Sequence, residues 1–189
     1  AKIAEEKLQI NQEEIDKFTL NNLLLCLTIA QIYDLDLDKA LKSIKKAGIP
    51  EGRGQEVKLA NNITLIDDSY NANSESMKLA LKKLSAKSSE GKKITVLGDM
   101  LELGDEAEQK HIELRQYLKN VDMLITCGKL MENLHENAPK GTDAIHFRNH
   151  EEIADFIKKN AAEYDLILVK GSNGSKLHQV VKKLKSTLA

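Results

Sequence analysis

Six polar side chains crowd into one short stretch of this 189-residue chain: Asp67, Asp68, Ser69, Tyr70, Asn71 and Asn73. Carboxylates accept from sugar hydroxyls, and hydroxyls and amides both donate and accept, so such a set can line a polar cleft. Three further clusters follow: Gly98-Asp99-Met100 with Glu102, then Gly128-Lys129, then Lys170-Gly171-Ser172-Asn173-Gly174-Ser175. The last offers a lysine charge, a hydroxyl and backbone N–H groups ahead of a helix start, which suits a carboxylate or a phosphate. Each cluster also has a local explanation. Asn73 can cap a helix, Asp68 and Ser69 can make turns, Tyr70 can cover a core edge, and Asp99 with Glu102 can be a solvated turn.

What would make these residues a site is their placement. Ile63, Leu65 and Ile66 form a β-prone run after the turn signal Asn61-Asn62, so residues 55–59 and 63–67 pair as a hairpin. From Ser74 onward the spacing Met77, Ala80, Leu81, Leu84 is helical, which puts the six polar residues between a strand end and a helix start. Strands are expected at 93–97, 122–126, 144–147 and 166–169. Helices are expected at 106–118, around 129–134, at 151–160 behind an Asn149/Glu152 capping box, and at 176–188. The 106–118 helix would turn Ala107, Ile112 and Leu118 inward. This alternation predicts an α/β, Rossmann-like domain with a mainly parallel sheet and helices on both faces. The four polar clusters then fall along one edge of that sheet, where ligands bind in such folds.

Ahead of this domain the pattern differs. Residues 1 to about 18 read as a leader or the torn end of something larger. Leu20 to Tyr33 is apolar on more than one face, as in a helix covered on several sides, and Asp38 to Ala47 is a second helix stopped by Gly48. Two helices make a thin core. The boundary is placed at the Pro50/Gly52/Gly54 linker, giving residues 1–50 and 51–189 as two parts.

Composition narrows the partners. With 41% hydrophobic and 30% charged residues and a net charge of −1, the chain has the balance of a soluble protein without attraction to nucleic acid or anionic membrane. No apolar run approaches a membrane span and Ala1 to Lys7 lacks a signal-peptide core, so a cytoplasmic location is expected. Cys26 and Cys127 read as reduced core thiols, and the five histidines as surface or helix-cap residues. Gly91-Lys92-Lys93 and Gly128-Lys129-Leu130 lack the remainder of a phosphate-binding P-loop, no Gly-x-Gly-x-x-Gly follows a strand, and no serine sits in a nucleophile elbow.

Four motifs in order, Gly52-Arg53-Gly54-Gln55, Ile66 to Asn73, Val96 to Gly104 and Val169 to Ser172, resemble the C-terminal third of the Mur ligases, over about Leu20 to Leu188. Within that family Lys170-Gly171-Ser172 fits the dipeptide-adding branch; the Asp-Asn-Pro-Arg motif of the diaminopimelate-adding branch is missing. The resemblance implies a three-domain cytoplasmic enzyme of peptidoglycan synthesis, a monomer. Residues 1–50 would be a leader and the helical tail of its central ATP-binding domain, and 51–189 its C-terminal domain. It further implies ATP and magnesium, held mainly by the central domain, with UDP-MurNAc-tripeptide and D-Ala-D-Ala as partners. An acyl phosphate would form and be attacked by the dipeptide amine. Carried over by motif, Arg53, Asp68, Tyr70, Asn71 and Asn73 would face the nucleotide, and Ser69, Asp99, Lys170 and Ser172 the incoming dipeptide.

The sequence departs from the family at three places. Ser74 stands where a proline is usual, Phe18 where a histidine commonly precedes the helix, and Asn173 where an arginine is frequent. No catalytic residue and no metal ligand is assigned to this chain, which lacks the P-loop and by itself should not ligate. Two alternatives stay open: a stand-alone, non-catalytic binding module, or a related amide ligase such as the folylpolyglutamate type.

Overall fold

The computed structural model describes residues 17–47 and 49–188. It divides between Gly48 and Ile49 into two compact units. The first contains α1 (Lys17–Ile32) and α2 (Leu37–Ala47). Asp34 turns the chain with φ +54, and the Asp36 carboxylate accepts from the Lys39 N–H at 2.9 Å, starting α2. Leu37, Ala40, Leu41 and Ile44 form the half-buried stripe expected of α2. For α1 the expectation of cover on several sides does not hold among the described residues. Leu23, Leu27 and Ala30 are buried on one stripe, while Leu24, Leu25, Ile29 and Ile32 are exposed. Cys26 lies on this open side and is exposed, correcting its reading as a core thiol. The leader and the Gly48 stop lie outside the described residues.

The second unit holds six strands: β1 (Gln55–Lys58), β2 (Thr64–Asp68), β3 (Lys92–Gly98), β4 (Met123–Cys127), β5 (Asp143–Phe147) and β6 (Tyr164–Lys170). They form one sheet in the order β1-β2-β6-β3-β4-β5. β1 and β2 are the expected antiparallel hairpin, closed by a 3-10 turn whose Asn61 and Asn62 take the left-handed backbone that asparagine tolerates. Every other pairing is parallel. The last strand in the chain thus lies at the centre of the sheet, and its sequence shows why. Leu166 and Leu168 point into one core and Ile167 and Val169 into the other, so β6 is apolar on both faces.

Those two cores are covered by helices on both faces. α3 (Ser74–Ala86), α4 (Ala107–Glu113) and α5 (Glu132–Glu136) lie over one, which takes Met77, Leu81, Leu84, Met131 and Leu134, with Leu114 and Leu118 from the segment after α4. α6 (Ile153–Lys159) and α7 (Leu177–Thr187) contribute Ile153, Ile157, Val180, Val181 and Leu184 to the other. The expected helix at 106–118 is broken into a 3-10 turn, α4 and a second 3-10 turn. Its inward residues are His111, Leu114 and Leu118, with Ala107 and Ile112 only half-buried. The Asn149/Glu152 capping box does not form: α6 starts later, with Glu152 as an N-cap that makes no side-chain bond, and Asn149 accepts from Glu151 N–H instead.

Candidate functional site

Because β2, β6, β3 and β4 are parallel neighbours, their C-terminal ends Asp68, Lys170, Gly98 and Cys127 line up on one edge. Asp68 registers with Lys170, Lys170 with Leu97, and Gly98 with Cys127. The four polar loops predicted to converge therefore do so. How each side chain is used differs from residue to residue.

At the end of β2 and in the loop that follows, Asp67 and Ser69 look inward. Both are 1% exposed; the Ser69 hydroxyl donates to Asp67 Oδ1 at 2.7 Å, and Lys185 pairs with the other oxygen at 3.3 Å. Ser69 is thereby a turn-former whose hydroxyl is already committed. Asn73 closes a reciprocal capping box with Ser76 and starts α3 in place of an N-terminal proline. Its side-chain oxygen is spent on the Ser76 N–H at 2.8 Å. Asn71 is exposed, its side chain accepting from the Ala72 N–H.

Asp68 and Tyr70 face outward. Tyr70 is 52% exposed, and the Arg53 guanidinium lies 4.1 Å from the centre of its ring, a cation–π contact that leaves guanidinium N–H edges for an anion. The flanking glycines make that stack possible. Gly52 has φ +72 and sits where a Cβ would come within 3.0 Å of Tyr70 Cβ, while its carbonyl accepts from Tyr70 N–H. Gly54, at φ +87, donates its N–H to the Asp67 carbonyl at 2.7 Å. The end of the linker is therefore a docked part of the site.

Lys170 is 2% exposed, among the largest fully buried side chains. Its ammonium pairs with Asp68 Oδ2 at 2.7 Å and donates to the Asn71 carbonyl at 3.0 Å. The Asp68 side chain keeps 22% exposure, so the carboxylate rather than the ammonium meets solvent at the sheet edge.

The remaining loops are tied through Asp99. Its carbonyl accepts from Ser172 N–H at 3.1 Å, and its Oδ1 accepts from Met131 N–H at 2.8 Å. Gly128, at φ +103, passes so close that a Cβ there would lie 2.5 Å from the Asp99 carboxylate. Ser172 is 4% exposed, and its buried hydroxyl has no partner among the described residues. Next to this network the Cys127 thiol is pushed up to about 11 by burial and by the Asp99 charge, which makes it an inert core thiol.

Sequence reasoning missed His111. Read as a surface or helix-cap residue, it is fully buried: Nε2 accepts from Met100 N–H at 2.9 Å and Nδ1 faces the Ala107 carbonyl at 2.6 Å. A backbone N–H can only donate and a carbonyl only accept, so the ring is the neutral Nδ1–H tautomer. The signal was present, since Ala107, His111, Leu114 and Leu118 share the i, i+4, i+7, i+11 spacing of an inward stripe.

Among known proteins, the family described as "Mur ligase, glutamate ligase domain" matches residues 52–173. The UDP-N-acetylmuramoyl-tripeptide–D-alanyl-D-alanine ligase of Bacillus subtilis is 36% identical over 154 residues, 79% of this chain and 33% of that protein. The Escherichia coli ligase of the same name is 30% identical over 172 residues, 89% of this chain and 37% of that protein. The chain thus spans about a third of the length of the curated relatives it matches. A crystal structure of MurF from Acinetobacter baumannii superposes with a TM-score of 0.78 at 24% identity, over 91% of this chain and 38% of that one. The MurF ligase of Thermotoga maritima in complex with ADP gives 0.75 at 22% identity, over 92% and 39%. With more than half of its length matched by the family model, the chain belongs to the Mur ligase family, whose glutamate ligase domain it carries.

Proposed function

We propose that this chain is the nucleotide-closing, dipeptide-accepting part of an ATP-dependent amide ligase that joins D-Ala-D-Ala to UDP-MurNAc-tripeptide in peptidoglycan synthesis. The observation that carries the reading is the presence, at one sheet edge, of both an outward carboxylate at Asp68 and a guanidinium at Arg53 stacked on Tyr70. The two groups suit a ribose hydroxyl and a phosphate respectively. Lys170 takes Asp68 Oδ2 and leaves Oδ1 to accept from the sugar. The Ser172 hydroxyl, buried and without a partner among the described residues, is kept in this reading for the dipeptide, to which it opens as the domains close.

In this reading α1 and α2 are the end of a central ATP-binding domain, and the exposed Leu24, Leu25, Ile29 and Ile32 are the face packed within it. The phosphate loop and the magnesium ligands belong to that domain. ATP bound there activates the tripeptide carboxylate, and this chain's residues bind, orient and exclude water as the domains close. The protein works as a cytoplasmic monomer; no helix among the described residues is long and apolar enough to cross a membrane.

The test is ADP release by the full-length ligase. Formation that requires both UDP-MurNAc-tripeptide and D-Ala-D-Ala, with a raised KM for ATP in Arg53→Ala, supports the reading. ADP formation indifferent to D-Ala-D-Ala, or stimulated instead by glutamate or diaminopimelate, would sink it.

A further inference from the structure

Resemblance assigns Lys170 to the incoming dipeptide, yet its surroundings give it other work. A lysine that captures a free carboxylate must present N–H groups to the cleft. Here the side chain is 2% exposed, and its ammonium ends between Asp68 Oδ2 and the Asn71 carbonyl. We propose that Lys170 is a positioning residue for the nucleotide half of the site, holding the 68–71 segment at two points rather than touching substrate. The inference rests on the ligase reading above and deepens it.

The two points lie three residues apart and bracket Tyr70. Fixing both ends sets the direction of the Asp68 carboxylate and the place of the Tyr70 ring, on which Arg53 lies. One buried ammonium at the end of the central strand thus orients both the acceptor for ribose and the cation for phosphate. Lysine suits the task because its compact ammonium has three donors that can diverge toward a carboxylate and a carbonyl. An arginine fork in the same slot would engage Asp68 side-on and lose the Asn71 carbonyl. Lys170 lies next to Gly171 and Ser172, whose N–H reaches Asp99, so the same strand end connects the nucleotide loop to the loops assigned to the dipeptide.

The experiment has two arms. In the 189-residue chain, Lys170→Met, Asp68→Asn and the double variant are compared by thermal unfolding and by amide NMR. Expected are strongly non-additive unfolding shifts, the double variant being no worse than the poorer single, with Lys170→Met moving the Tyr70 to Asn73 amides. In the full-length ligase, Lys170→Met should raise the KM for ATP on the order of tenfold, as loss of one charge-assisted hydrogen bond implies. The KM for D-Ala-D-Ala should stay within about twofold, and Lys170→Arg should restore little. Additive unfolding shifts, or a KM increase confined to D-Ala-D-Ala, would overturn the positioning role. A wild-type enzyme that forms no amide with D-Ala-D-Ala would instead overturn the ligase reading, while the unfolding cycle still decides whether Lys170 holds Asp68.

Discussion

Replacing His111 by leucine removes an acceptor while keeping an apolar group of comparable volume, so the main loss is the bond from Met100 N–H. Met100 is fully buried, and water cannot take over. A buried donor left without a partner costs about 1–3 kcal/mol, and about 2 kcal/mol is a reasonable centre. For a unit of about 140 residues this corresponds to a fall in Tm of about 8 °C. The effect should also be local, with the Met100 amide exchanging about 30-fold faster and the Ser172 amide, bonded to the neighbouring Asp99 carbonyl, loosening with it. Differential scanning calorimetry and hydrogen exchange read both. His111→Gln, whose amide oxygen can accept in place of Nε2, should recover part of the loss. Unchanged Met100 protection with Tm within about 1 °C of wild type would refute the reasoning, because an unsatisfied buried donor leaves no room for a silent change.

Gly128→Ala should be more damaging than a usual glycine change, since its left-handed φ of +103 disfavours a Cβ that would also collide with the Asp99 carboxylate. A loss of about 2 kcal/mol or more in urea unfolding is expected, with the Met131 amide shifted. Asn73→Ala removes the cap of α3 and should cost about 1 kcal/mol by the same assay, the Ser76 amide losing protection. Asp165 carries a pH dependence. The Gly91 N–H, with help from the Ser89 hydroxyl and Glu90 N–H, holds its carboxyl below the ordinary value of 3.8. Its contribution is therefore complete above that ordinary value and fades as pH falls through the lowered one. Asp165→Asn should flatten the decline of Tm on acidification below about pH 5, and an unchanged acid limb would remove the assignment.

The fold was legible because its signals are periodic. The β1/β2 hairpin announced itself through Asn61-Asn62, and β6 through its place in the alternation of strands and helices. Strand order was not legible, since nothing in Leu166 to Val169 says which neighbours it takes. The site was readable as a set of loops and not as a set of contacts. Ser69 and Asn73 stand in the right motif, yet their side chains serve the turn and the cap, choices made by hydrogen-bond geometry that residue type leaves open. Lys170 shows the same limit: a lysine after a strand reads as a charge offered to a ligand's carboxylate or phosphate until the neighbouring strand supplies Asp68. His111 was overlooked because its polarity outweighed its position on an inward stripe.

The central place of β6 also bears on how the polypeptide is made. During synthesis β2 and β3 leave the ribosome well before the strand that must lie between them, so neither can complete its pairing until β6 is made. Until Lys170 has emerged, the pairings open to the sheet are at most a hairpin and a three-stranded piece, each with a bare strand edge. Late insertion of a central strand predicts that the edge carrying the site assembles slowly, after the rest of the unit has been made.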